Sequence, residues 1–170
     1  MFAEAPRRKP NITTPYVRPL EYADIEQIEQ NLRPEDRREL EAAGISALHN
    51  LKRAYADKNL INYAILSPMT GRAFGVFGVN PANGIIWMVS TPEIQNYKTK
   101  FLRGSRDIIK AFHAAGVPVL WNWVAAYNQL HIKWLTKWLR FRITAEGRLG
   151  NETYYKLEHH TKGGKECVAP

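Results

Sequence analysis

One stretch of the chain, residues 84–141, alternates between patterns typical of strands and of helices. An apolar run at 85–89 is followed by a helical segment at 98–115. A second β-rich run lies at 117–124, and another helical segment follows at 129–139. Two strands connected through a helix of this length normally run parallel and form a right-handed crossover. The stretch therefore predicts a β-α-β-α unit at the centre of the fold.

The position of a binding site follows from this unit. Ligands of such units usually bind beyond the carboxyl ends of the strands, close to the N-terminus of the connecting helix. In this chain those places correspond to residues 90–100 and 125–128. We therefore expect the functional residues to lie in these two segments.

The segments on either side predict a mixed α/β (α+β) fold. Three short amphipathic helices precede strands at 60–66 and 72–79, and short turns join these strands and 85–89 into an antiparallel meander. A hairpin at 142–145 and 153–157 follows the central unit. We predict an extended basic arm at 1–15, one domain at 16–158 and a flexible tail at 159–170.

Composition limits the classes of partner and compartment. The chain has 170 residues, a net charge of +8 and a sequence pI near 9.7. This charge favours an anionic partner, although a surface that is simply basic explains it equally well. No apolar run approaches the roughly 20 residues that cross a bilayer, and the N-terminus lacks the apolar core of a signal peptide. The single Cys167 cannot form an internal disulfide, so we expect a reducing, intracellular setting. Because no Cys/His cluster has zinc spacing, we expect no metal site.

Two helical segments of the central unit concentrate positive charge. A solvated face is the default interpretation of such a band. If the two bands converge in the fold, they form a non-specific anion-binding patch, without any recognised nucleic-acid-binding motif. The basic residues are Lys98, Lys100, Arg103, Arg106 and Lys110 on the first segment, and Lys133, Lys137, Arg140 and Arg142 on or after the second.

Four tryptophans of the same unit follow regular spacings. Trp121 and Trp123 share one face of a strand, where core packing is the main interpretation and an aromatic pocket wall the alternative. Trp134 and Trp138 are four residues apart, about one α-helical turn, and should both cover the sheet.

The order of elements, together with local motifs, resembles the GNAT acetyltransferase superfamily. Residues 18–24 look like the first strand and helix cap of that superfamily, and Gly116 closes the long helix as expected there. Asn128, followed by Ile132 and Trp134, is similar to the Asn-containing motif of its last helix. The resemblance implies transfer of an acetyl group from acetyl-CoA to a protein or a small amine. It also implies that the two parallel strands splay at their carboxyl ends and leave a cleft.

A narrower resemblance concerns an acetyltransferase-like family of tailed phages, which includes the small internal virion protein of short-tailed coliphages. It implies a phage protein in the host cytoplasm or in the virion. It also leaves an alternative function, a catalytically silent accessory or internal virion protein that binds a virion or host protein. The segments that carry it are 32–40, 74–79, 101–106 and 131–135, with Asn128.

The superfamily resemblance also implies which residues contact acetyl-CoA. The superfamily's pyrophosphate loop reads Gln/Arg-x-x-Gly-x-Gly/Ala, and it falls on residues 95–100 of this chain. Lys98 and Lys100 stand where the glycines are expected, so charge would have to replace close backbone approach. The implied cofactor-binding residues are Val89, Ser90, Gln95, Lys98, Thr99, Lys100 and Asn128.

The implied catalytic residues match the superfamily's pattern only in part. Many members use a Tyr of the last helix as general acid, and that position is Leu135 here. Tyr127 is the nearest replacement. A base that deprotonates the attacking amine requires a carboxylate or a His near the central strand, which makes Glu93 and His131 candidates. His131 has the alternative role of a polar residue at a helix terminus.

Overall fold

A computed structural model describes residues 10–12 and 14–161, and each predicted helix and strand is present in it. Three helices follow the first strand, and the meander, the central unit and the hairpin come after them. The elements are β1 (Val17–Pro19), α1 (Tyr22–Gln30), α2 (Pro34–Ala42), α3 (Ala47–Ala56), β2 (Ile61–Leu66), β3 (Ala73–Val79), β4 (Ile86–Ser90), a 3₁₀ helix (Pro92–Tyr97), α4 (Lys98–Ala114), β5 (Val119–Ala125), α5 (Gln129–Lys133), a π-helix (Trp134–Trp138), β6 (Arg142–Leu149) and β7 (Glu152–His160).

The strands form two antiparallel groups that meet along one short line. The first group has the order β1-β2-β3-β4, and the second has the order β5-β7-β6. β4 and β5 run parallel, as predicted, but they share only the bridge between Ile85 and Trp121. Beyond that bridge the two strands separate. The predicted splay is therefore present, and it divides the expected single sheet into groups of four and three strands.

A glycine makes the contact at the closed end of this opening. The Trp121 amide donates to the carbonyl of Gly84 over 3.0 Å, and the Asn122 side chain donates to the Ile86 carbonyl over 2.6 Å. Gly84 has a φ of +77°, and a Cβ at this position would lie 1.9 Å from the Val119 carbonyl oxygen. Only glycine satisfies both the backbone angle and the close approach.

This geometry predicts an unequal cost for two glycine substitutions. Gly84→Ala should destabilise the fold through a steric clash in addition to the cost of a positive φ. Gly71→Ala is the matched control, because Gly71 has a φ of +70° but no atom of the described residues within 4 Å of an added Cβ. Gly71→Ala should therefore cost only about 1–2 kcal/mol, and Gly84→Ala clearly more. Chemical denaturation measures both, and equal losses would contradict the role of Gly84 as a close-contact point.

Two apolar cores lie on opposite faces of the first sheet. α4 packs Ile108 and Phe112 against Phe77 on one face. α1 and α3 pack on the other face, where Ile28 and Leu51 are fully buried. The sheet thus separates an α4 side from an α1–α3 side.

Within the described residues, no helix is long and apolar enough to cross a membrane.

The last helix departs from the predicted α-helix. From Trp134 it widens into a π-helix, and the Leu139 amide donates to the Trp134 carbonyl five residues back over 3.2 Å. In this wider turn, a side chain no longer lies on the same helix face as the side chain four residues before it. Leu139 is consequently buried, whereas Trp138 is 45% exposed. The prediction that Trp138 covers the sheet was wrong for this reason.

The ends of the domain differ slightly from the predicted boundaries. β7 continues to His160, so ordered structure extends beyond the predicted boundary at residue 158. At the other end, Pro10 is buried, and the Tyr63 hydroxyl lies 3.5 Å from its carbonyl oxygen. The predicted arm therefore packs on the domain at this point. Residues 1–9 and 162–170, where the rest of the arm and most of the tail were predicted, lie outside the described residues.

Two histidines connect the end of α4 to β7. His113 Nδ1 lies 2.7 Å from the Val117 carbonyl and must donate to it, so His113 Nε2 accepts from His159 Nδ1 at 2.8 Å. Phe141 packs against the His159 ring. Burial lowers the pKa of His113, and burial together with His113 lowers the pKa of His159 to about 4.

This pair should make the fold sensitive to acid. Because the folded state holds both imidazoles neutral, the unfolded state binds more protons once the pH falls below about 6.5. The free energy of unfolding should decrease from there towards pH 4. His159→Gln should flatten this dependence, whereas His49→Gln, at an exposed position of α3, should leave it unchanged. Urea titrations across this pH range measure the slopes, and an unchanged slope in His159→Gln would contradict the role of the pair.

Candidate functional site

A cleft opens where β4 and β5 separate. It contains a cavity of about 420 Å³ that passes between the two strands. On the α4 side its wall is apolar, with Met88, Ile109 and Leu135 among the lining side chains. On the α2 side the wall includes the carboxylates of Asp36 and Glu39. The cavity therefore joins an apolar half and an acidic half through the gap between the strands.

The two carboxylates of α2 bond to the separated strands. Asp36 Oδ2 accepts from the Ser90 amide at the end of β4 over 3.0 Å. Glu39 Oε1 accepts from the Ala125 amide at the end of β5 over 2.8 Å. The Arg33 amide completes the contact by donating to the Ser90 carbonyl over 2.9 Å. One helix thus supplies partners for backbone groups that the splay removes from ordinary strand pairing.

A buried charged group supports this arrangement. Asp36 is 2% exposed and Arg33 4%, and their nearest charged atoms are 3.5 Å apart. Glu35, which is more exposed, lies 3.5 Å from the same guanidinium. Burial of the two opposite charges together reduces the desolvation cost that either would carry alone.

His131 extends this group towards α5. Its Nε2 lies 3.4 Å from the Arg33 guanidinium, and its Nδ1 lies 3.1 Å from the Asn128 amide. The Asn128 side-chain nitrogen can only donate, so Nδ1 accepts from it, whereas the Asn128 oxygen has no hydrogen-bond partner among the described residues. Burial lowers the pKa of His131, against the opposing effect of Asp36. The ring is therefore neutral and lies between the side chains of Asn128 and Arg33.

Glu39 lies in the cleft with a pKa far above that of a free carboxyl group. Burial raises its pKa to about 7, against the opposing effect of the Ala125 amide, while the nearby Asp36 raises it further. A carboxyl group of this pKa is partly ionised at neutral pH and can both accept and release a proton. Because Glu39 lies in the cavity wall, its carboxyl group can exchange a proton with a molecule bound in the cavity.

Two tyrosines lie near Glu39. Burial, followed by the proximity of Tyr154 and Glu39, raises the pKa of Tyr127 to about 12. The Arg38 guanidinium covers the Tyr127 ring at 4.0 Å and also pairs with Glu152. Tyr127 therefore remains protonated at neutral pH. It is absent from the described residues that line the cavity.

The predicted phosphate-binding segment is helical. Residues Pro92–Tyr97 form a 3₁₀ helix that leads directly into α4. Tyr97 anchors it, because its ring stacks on Phe74 at 5.5 Å and its hydroxyl lies 3.2 Å from Ser67 Oγ. Gln95, Lys98, Thr99 and Lys100 are exposed at this end of α4.

The structure distributes the predicted site residues over three places. Val89 and His131 line the cavity, and Ser90 is buried beside it. Asn128 is behind His131 and 1% exposed, so it holds the imidazole rather than facing the cavity. Glu93 is in the 3₁₀ helix and is not among the described residues that line the cavity. Its catalytic role stays a prediction.

Sequence reasoning missed the contribution of α2. Arg33, Asp36 and Glu39 belong to a strongly charged segment in which no site residue was predicted. One signal was present: Asp36 and Glu39 share a helix face with Leu40, at spacings of three and four residues. Trp123 was also misassigned to the core. It is 39% exposed and lines the cavity, which is the pocket-wall alternative.

The contact of α2 with β4 can be tested through stability. Asp36→Ala leaves the Ser90 amide and the buried Arg33 without this carboxylate, and should cost about 1–3 kcal/mol of unfolding free energy. Glu35→Ala removes an exposed carboxylate from the same helix turn and should change stability by less than about 0.5 kcal/mol. Denaturant titrations measure both values. Equal effects would show that the buried contact is not important for the fold.

Comparisons with known proteins agree with this architecture. The sequence matches no protein-family model, and no curated protein matches it. Among solved structures, a GCN5-related N-acetyltransferase from Kribbella flavida has a TM-score of 0.65 at 14% identity, covering 85% of this chain and 96% of that one. The ribosomal-protein-S18-alanine N-acetyltransferase from Escherichia coli has a TM-score of 0.66 at 15% identity, with coverages of 91% and 98%. A GNAT-family acetyltransferase from Bacillus anthracis has a TM-score of 0.66 at 14% identity, with coverages of 88% and 97%.

These likenesses support the predicted superfamily fold over most of the chain, whereas the narrower phage resemblance finds no support in them. The splayed strands, the helix that follows β4 and the closing hairpin are the elements of that fold. The chain has the GNAT N-acetyltransferase fold.

Proposed function

We propose that this protein transfers an acyl group from acetyl-CoA to an amine, with Glu39 as the general base. The observation that carries the proposal is the cavity of about 420 Å³ between the splayed strands, with Glu39 in its wall. The N-acetyltransferases that share the fold make acetyl-CoA the first candidate for the acyl donor.

The residues near the cleft fit the acyl-bearing end of such a donor. Val89 lines the cavity, and the hydroxyl of Ser90 is buried with no hydrogen-bond partner among the described residues. An unpaired buried hydroxyl is costly, and a bound carbonyl would supply an acceptor for it. At the other end, Lys98 and Lys100 would offer charge to a pyrophosphate, in place of a glycine-lined loop.

Glu39 supports the acid–base part of the reaction. Acetyl-CoA supplies the activated acyl group, and an amine must lose a proton to form the amide bond. Glu39, with a pKa of about 7, is ionised in a large fraction of molecules at neutral pH and can take that proton. The Ala125 amide fixes the orientation of its carboxylate. Tyr127, whose pKa is influenced by Glu39, keeps its proton at this pH and is the proposed donor for the leaving thiolate.

The experiment measures thiol release from acetyl-CoA in the presence of a panel of primary amines and peptides. The rate should rise with pH through about pH 7, following ionisation of Glu39. Glu39→Gln should lower kcat/KM by about 100-fold or more and remove this rising limb. Glu41→Gln, at an exposed position of the same helix, is the matched control and should retain both. An unchanged pH profile in Glu39→Gln would remove Glu39 from the role of base.

A second function is favoured by the way α2 occupies the cleft. Asp36 already holds the Ser90 amide, and a glycine-free 3₁₀ helix stands where the donor's phosphates would bind. Both features suit a catalytically silent scaffold that binds a virion or host protein in the host cytoplasm or the virion, as the phage resemblance implies. Calorimetry with acetyl-CoA separates the two functions. Absence of binding at millimolar concentration would contradict the transferase and favour the scaffold.

A further inference from the structure

The two basic segments of the central unit meet on the surface. Arg106 of α4 donates from Nε to the Trp138 carbonyl over 3.2 Å, and its guanidinium lies 5.9 Å from the centre of the Trp138 ring. Deeper in the same contact, Trp134 Nε1 lies 3.4 Å from Ser105 Oγ. α4 and the π-helix therefore run side by side, and their basic residues share one surface.

We propose that this surface binds single-stranded nucleic acid. The surface, here called the basic patch, lies on the α4 side of the fold, away from α1 and α3. Its side chains are exposed, and none of them is among the described residues that line the cleft cavity. The basic patch consists of Arg103, Arg106, Lys110, Lys137, Trp138 and Arg140.

Charge is the first argument for this ligand. Five of the six residues are cationic, and Asp107 is the acidic residue of α4 in this region. Asp107 lies 3.9 Å from Lys110, and both side chains are largely exposed. An exposed pair of this kind is weak, so it offsets little of the positive field. A polyanion is the partner that such a field attracts.

The exposed tryptophan distinguishes nucleic acid from an acidic polypeptide. Trp138 is 45% exposed because the π-helix turns it outward instead of onto the sheet. Arg106 is associated with the ring and holds the main chain that carries it. An aromatic ring among cations is the usual platform for an unpaired base, since the ring stacks on the base while the cations contact the phosphates. A duplex offers no unpaired base for this platform.

The experiment measures the anisotropy of a labelled oligothymidylate on addition of the full chain. Neutralisation of phosphates by five cations predicts a loss of roughly 100-fold in affinity for a fourfold rise in salt. Trp138→Ala should weaken binding about tenfold, whereas Trp138→Phe should retain most of it, because a phenyl ring also stacks. The Arg106 contact to the main chain at residue 138 is preserved in both variants.

A matched pair of charge reversals tests the location. Arg103→Glu combined with Lys137→Glu should weaken binding far more than Arg53→Glu combined with Lys58→Glu. The latter two residues are exposed at the end of α3, on the other face of the sheet. Both double variants change the net charge equally, so the comparison separates the basic patch from bulk charge. Circular dichroism confirms that each variant is folded.

Three results would overturn the proposal. The first is failure of the wild-type chain to bind at low salt, and the second is an equal loss in the two double variants. The third is full binding by Trp138→Ala together with displacement of the oligonucleotide by polyglutamate at equal charge concentration. That third result would assign the basic patch to an acidic polypeptide.

Discussion

The contact between helix α2 and the two separated strands is the constraint on which the cleft depends. β4 and β5 share a single bridge and then diverge, which leaves backbone amides without strand partners. Asp36 accepts from one strand and Glu39 from the other, and they lie three residues apart on one helix. The spacing of a helix turn thereby sets the width of the opening. The acidity of Glu39, and with it the proposed chemistry, is a consequence of where this helix has to lie.

Much of the fold could be predicted from local patterns. The alternation of 85–89, 98–115 and 117–124 indicated a parallel crossover, and the resemblance of the whole order indicated a splay. Both are present. These features depend on residues close in sequence, or on an order of elements that persists while side chains change. The glycine at position 84 likewise lies in a recognisable turn, and its close approach to β5 explains why no side chain is tolerated there.

The chemistry of the site could not be predicted in the same way. The hydrogen bonds of Asp36 and Glu39 join residues 54 and 86 positions apart, so no local pattern encodes them. A carboxylate that serves a distant strand has the same sequence signature as one that faces water. The π-helix is a similar case. Its wider turn leaves Trp138 exposed where burial was expected, although the spacing of four residues correctly indicated a helix.

The occupied strand edges also bear on self-association. An unpaired strand edge is a template on which another polypeptide can add a strand, and two such edges face each other across this opening. Asp36 and Glu39 place acceptors on amides that an incoming strand would need. The charge of Asp36 and its buried partner Arg33 makes replacement by a neutral peptide costly. The helix that keeps the cleft open thus also protects these two strand edges from pairing with another chain.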